Sequence, residues 1–131
     1  SAGATAHGGT IIIDGDASSR CGISMKGVDI IVKGSVGHMS AFMAQAGTLM
    51  ICGDAGDALG DSIYETVIYL AGKPKSLGVD CIEKKVTKND LKKIENLIEL
   101  GNIKKLKPHN FKKFGSARKL YNFNIDNVSE Y

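Results

Sequence analysis

Four evenly spaced glycines constrain this chain more than any other feature. Gly15, Gly34, Gly53 and Gly72 lie 19 residues apart. Each closes a short apolar run: Ile11-Ile12-Ile13, Ile30-Ile31-Val32, Leu49-Met50-Ile51 and Ile68-Tyr69-Leu70. A fixed period near 20 residues is the signature of stacked structural repeats, each too small to bury its own apolar face. The period predicts an all-β solenoid, a parallel β-helix, over residues 1–80.

A second small-residue pattern follows each anchor. Gly53, Gly56 and Gly60 show it in full. The preceding repeat has Gly34, Gly37 and Ala41; the first has Gly15, Ser18 and Gly22. The last decays to Gly72, Lys75 and Val79, as a terminal repeat does. Small residues are required where the chain turns with positive φ or where one turn presses on the next.

Adding 19 gives the strand columns. Ile11, Ile30, Leu49 and Ile68 form one; Ile13, Val32, Ile51 and Leu70 form another. Side chains alternate along a strand, so both columns point to one interior. The column between them, Ile12, Ile31, Met50 and Tyr69, points the other way and is also apolar. A strand apolar on both faces is buried on both. Residues 81–131 or another chain must cover this column, or a thicker, sandwich-like core must contain it. The partner-facing reading makes Met50→Lys a defect of assembly more than of folding. Gly3 lies 19 residues before Gly22, so the sequence opens in mid-repeat. That end is read as a fragment's, or as a surface that stacks on a partner or on a second copy.

Charge divides the chain. Residues 1–80 carry five Lys/Arg against eight Asp/Glu, and residues 81–131 carry twelve against six. Within the second part, Thr87 and Asp90 frame a capping box, Leu91, Ile94, Leu97 and Ile98 follow helical spacing, and Gly101 is a stop. These residues predict an amphipathic helix over about 88–100. From Leu100 to Ile125 there is no acidic residue, and Phe111, Phe114, Tyr121 and Phe123 are interleaved with lysines. Such an arm fits either single-stranded nucleic acid or anchorage on a neighbouring protein by its aromatics. The protein neighbour is the better reading, because no nucleic-acid motif accompanies the arm. The partner-facing candidates are therefore Ile12, Ile31, Met50, Tyr69, Phe111, Phe114, Tyr121 and Phe123.

No catalytic constellation emerges. Cys21, Cys52 and Cys81 lack the spacing of a zinc site or a disulfide framework. His38 lacks the hexad repeat of β-helix acyltransferases, and His7 and His109 lack a second ligand at useful spacing. Asp54, Asp57 and Asp61 resemble a cation site, but corner aspartates more often bond nearby backbone. There is no Walker A sequence and no dinucleotide fingerprint. No stretch reaches the roughly 18 apolar residues of a membrane span, and a reducing, cytoplasmic setting is the default. No catalytic, cofactor-binding or metal residue is assigned.

Several longer segments carry more information than the ladder. They are Ala17-Ser18-Ser19-Arg20-Cys21-Gly22-Ile23-Ser24-Met25-Lys26-Gly27, Gly34-Ser35-Val36-Gly37-His38-Met39, Gly53-Asp54-Ala55-Gly56-Asp57-Ala58-Leu59-Gly60-Asp61-Ser62-Ile63-Tyr64-Glu65 and Gly115-Ser116-Ala117-Arg118-Lys119-Leu120-Tyr121-Asn122-Phe123. Together they resemble the GXGXG domain of the glutamate synthase large-subunit family, nearest to its stand-alone form. The resemblance implies a right-handed, single-stranded parallel β-helix with further turns before Ser1. It implies a non-catalytic role bracing a glutaminase and an FMN-binding synthase, with FMN and an iron–sulfur cluster on those partners and none in this chain. N-methylglutamate synthase and formylmethanofuran dehydrogenase use related layouts and stand as alternatives.

Overall fold

A computed structural model describes residues 4–7, 9–17, 28–37, 47–60, 63 and 65–117. Its strands are β1 (Ala4–His7), β2 (Thr10–Ile13), β3 (Val28–Val32), β4 (Gly47–Ile51), β5 (Val67–Leu70), β6 (Cys81–Lys84) and β7 (Lys112–Ser116). Helix α1 (Lys88–Leu100) and a 3-10 turn (Pro108–Asn110) lie between β6 and β7. The apolar runs become strands because their β-branched residues fit a surface buried on both faces.

The 19-residue interval appears as register. Ile11 stands opposite Ile30, Ile30 opposite Leu49, and Leu49 opposite Ile68, so β2, β3, β4 and β5 run parallel. Parallel bridges also link Val36 to Ala55, Ala55 to Pro74 and Leu59 to Leu77 in the segments that follow the strands.

The solenoid expectation requires correction. The described strands form one mixed sheet in the order β1-β2-β3-β4-β5-β7-β6, not a right-handed parallel β-helix. β1 pairs antiparallel with β2, β7 antiparallel with β5, and β6 antiparallel with β7. The physical reason is connection length. Two residues join β1 to β2, with Gly9 at φ 91°, and so short a link permits only a hairpin. At the other end β7 returns after α1 and inserts between β5 and β6. Residues on both sides of the charge boundary near residue 81 therefore share one sheet.

The two faces carry two cores. Ile13, Val32, Ile51, Leu70, Ile30, Leu49 and Ile68 pack on one face with Ala17, Val36, Ala55, Leu59, Ile63 and Phe114. On the other, Ile12, Ile31, Met50 and Tyr69 pack against Ile94 and Leu97 of α1 and against Phe111. The chain thus covers its own second column. Ile31 and Met50 have no exposed surface, and Tyr69 and Phe111 are 3% exposed. The partner-facing assignment of Ile12, Ile31, Met50, Tyr69, Phe111 and Phe114 is corrected accordingly; Tyr121 and Phe123 lie outside the described residues.

The glycine ladder is mostly a matter of proximity. Gly15 turns with φ 94°, a conformation costly for other residues. Gly34, Gly53 and Gly72 instead sit directly on one another. The Gly34 amide donates to the Gly15 carbonyl (2.8 Å), Gly53 to Gly34 (2.8 Å) and Gly72 to Gly53 (2.9 Å). A Cβ on Gly53 would lie 2.8 Å from the carbonyl carbon of Gly34. Backbone atoms cannot rotate away as a side chain would.

Gly53→Ala should cost about 2–3 kcal/mol, the upper range for overpacking, read as a lower urea midpoint. Met50→Lys should lose more than about 3 kcal/mol by burying an unpaired ammonium. Circular dichroism of the isolated chain checks the second expectation, and a folded Met50→Lys variant would return the column to a partner surface.

Candidate functional site

The most elaborate polar arrangement lies where α1 meets the sheet. Thr87 caps the helix in extended conformation and accepts from the Asp90 amide, while Asp90 reaches back to the Thr87 amide (2.7 Å) and hydroxyl (2.9 Å). This is the reciprocal capping arrangement, with Asp90 in the role usually taken by Glu. The other partners of Asp90 are distant in sequence. The Tyr69 hydroxyl of β5 donates to Oδ1 at 2.6 Å, and the Lys113 ammonium of β7 to Oδ2 at 3.0 Å. One buried carboxylate thus ties α1 to two strands.

Its electrostatics follow from these contacts. Burial alone would push the Asp90 carboxyl up. Hydrogen bonds from Tyr69, the Thr87 amide, Lys113 and the Thr87 hydroxyl outweigh it and bring the pKa down to about 2. Tyr69 is shifted upward by burial and by its bond to the Asp90 carboxylate. Both groups are thus held in their ordinary ionisation states, as a structural anchor requires and as a proton-transfer pair does not.

A second polar arrangement follows the 19-residue interval. The Ser35 amide donates to Asp16 Oδ1 (2.7 Å), the Asp54 amide to Ser35 Oγ (2.8 Å), and the Lys73 amide to Asp54 Oδ1 (2.9 Å). Asp16 and Asp54 therefore accept from backbone, but from the backbone of the next repeat rather than their own turn. Asp57 accepts from the Ser76 hydroxyl at 3.4 Å, and Asp61 lies outside the described residues. Among the described residues no three His, Cys, Asp or Glu side chains converge as metal ligands would.

The remaining candidates stand apart. Burial pushes the Cys52 thiol up to about 11, Lys33 partly opposing it; burial does the same to Cys81, partly opposed by Lys84. Both are free and poorly nucleophilic. Cys21, His38 and Gly22 lie outside the described residues, as does the side chain of His7. His109 is exposed on the 3-10 turn. Gly37 and Gly56 are half-buried beside the bridges at Val36 and Ala55. Gly60 turns with φ 70°, and a Cβ there would lie 2.8 Å from Cys81 Sγ. A groove of about 480 Å³ lies between Lys33, Cys52 and the loop Asn102–Leu106. It holds no acid–base pair. Sequence reasoning found the Thr87–Asp90 cap but missed Tyr69 and Lys113, which the fold alone brings to it. A hydroxyl in an otherwise aliphatic column was the available signal.

The Asp90 contribution to stability should be full above about pH 5 and be lost as pH drops through 3.8 toward about 2. The folded pKa of Asp90 lies below its ordinary value of 3.8, so the charged form favours folding and protonation removes about 2 kcal/mol. Asp90→Asn should cost about that much at pH 7 and abolish this part of the acid dependence, measured by urea titration at several pH values.

Comparison with known proteins places the chain in a family. The model of the GXGXG motif family matches residues 2–127. Protein GlxC of Rhizobium meliloti (strain 1021) is 58% identical over 96 residues, which are 73% of this chain and 42% of that protein. The chain thus spans less than half the length of this relative. No solved structure matches it. No helix among the described residues is long and apolar enough to cross a membrane. The chain belongs to the GXGXG motif family, and so to the glutamate synthase-related proteins that its segments resemble.

Proposed function

We propose that this chain is a non-catalytic structural subunit or domain of a glutamate synthase-like complex, bracing a glutaminase part and an FMN-binding synthase part. The family match over residues 2–127 is the observation that carries this reading. The chemistry of the described residues agrees with it. Asp90 is consumed in anchoring α1, Asp16 and Asp54 accept from backbone amides, and both described thiols are held protonated. FMN and the iron–sulfur cluster then belong to the partner chains, and the assembly works in the cytoplasm.

In this role the sheet contributes shape. Parallel strands locked by glycine contacts and a side-chain spine form a rigid support. Such a support can hold two larger catalytic parts at fixed separation, as transfer of an ammonia intermediate between them requires. The experiment is purification of the native complex through a tag on this chain. Stoichiometric flavin absorbance and glutamine-dependent glutamate formation in the purified material are expected. A monomer without flavin from cells making the whole system would overturn the proposal.

A further inference from the structure

The last strand of the sheet has a described neighbour on one side only. β6 pairs with β7, Cys81 opposite Ser116, Ile82 opposite Gly115, Glu83 opposite Phe114 and Lys84 opposite Lys113. The Ala117 amide donates to the Asp80 carbonyl at 2.7 Å, so the pair 80–117 is a hydrogen-bonded one. Such pairs alternate with non-bonded pairs in an antiparallel ladder. Ile82 and Lys84 therefore direct their backbone groups to β7, whereas Glu83, and Lys85 after it, direct theirs outward. An edge of this kind is a template for another strand.

The side chains restrict which strand fits. Ile82 is 44% exposed and Val79, just before β6, is 63% exposed. Lys84, Lys85 and Lys112 are exposed near the other end, while Lys113 is engaged by Asp90. The stem of Lys84 lies over Gly115, where an added Cβ would meet its Cδ and Cε at 3.3 Å. The lysines oppose a second copy of β6 in one of its registers. In the antiparallel register that sets Glu83 against Lys85, Lys84 faces its own counterpart, and like charges directly opposite destabilise a strand pair.

We propose that the β6 edge is a docking site for an extended segment of a partner protein, with apolar residues beside Ile82 and carboxylates beside Lys84 and Lys85. The geometry of the edge carries this inference whichever enzyme complex the chain serves.

The test uses the full chain and two synthetic peptides for antiparallel pairing, one (the Val/Glu peptide) containing Glu-Glu-Thr-Val-Thr, which sets its two Glu against Lys85 and Lys84 and its Val against Ile82, the other (the Val/Lys peptide) with Lys in place of both Glu. The Val/Glu peptide should bind about tenfold or more tightly than the Val/Lys peptide. Its binding should slow exchange of the Glu83 and Lys85 amides. Glu83→Pro removes an amide that β7 does not use; it should leave the fold intact and weaken binding about tenfold or more. If that variant fails to fold, Lys85→Pro, just beyond β6, provides the same comparison. Equal binding of the two peptides, protection elsewhere on the chain, or undiminished binding by the proline variant would overturn the proposal. So would self-association through β6, or binding seen only after removal of residues 118–131, which would make the chain's own C-terminal residues the occupant.

Discussion

A sheet with apolar side chains on both faces must be covered twice, and the rest of this structure depends on that requirement. Ile31 and Met50 cannot face water, and neither can the columns that alternate with them. One face is closed by the segments that follow the strands, through Val36, Ala55, Leu59 and Ile63. The other is closed by α1 and Phe111. Burying a Leu- or Ile-sized side chain contributes about 1.5–3 kcal/mol, so Ile94 and Leu97 alone account for much of the attachment of the helix. Asp90 adds direction: its bonds to Tyr69 and Lys113 fix where along β5 and β7 the helix begins.

The glycine ladder and the spine of Asp16, Ser35, Asp54 and Lys73 do the corresponding work along the stack. Each glycine lets the next repeat approach to hydrogen-bonding distance, and each Asp or Ser side chain receives an amide of the next repeat. Polar groups that would be orphaned at the strand ends are thereby paired. In this stack the side chains of Asp16, Ser35 and Asp54 are each engaged by an amide of the next repeat.

The strand columns, the helix and its cap were legible in the sequence because each depends on spacing within a few residues or on a constant interval. Gly101 shows the limit. It ends α1, but with φ −83°; the left-handed residue is Asn102 at φ 55°, and Gly101 is small because Ile31 Cγ2 lies against it. The mixed sheet was not legible. The interval that predicts parallel stacking says nothing about the hairpin at Gly9 or about β7 inserting between β5 and β6, because those pairings have no period. The same reason hid the meeting of Tyr69, Asp90 and Lys113. Their separations of 21 and 23 residues become contacts only once α1 has crossed the sheet. The assignment of Met50 and Tyr69 to a partner-facing surface failed because both candidate covers were compatible with the sequence, and the chain supplies its own.

α1 and the sheet form one unit, with the second apolar column sealed inside the chain. Native-state hydrogen exchange of the isolated chain in increasing urea tests it most directly. The amides of Ile94 and Leu97 and those of Ile31 and Met50 should exchange through the same global opening, with a common free energy and a common urea dependence. Exchange of the α1 amides through a separate, lower-energy opening, with the sheet amides still protected, would contradict it.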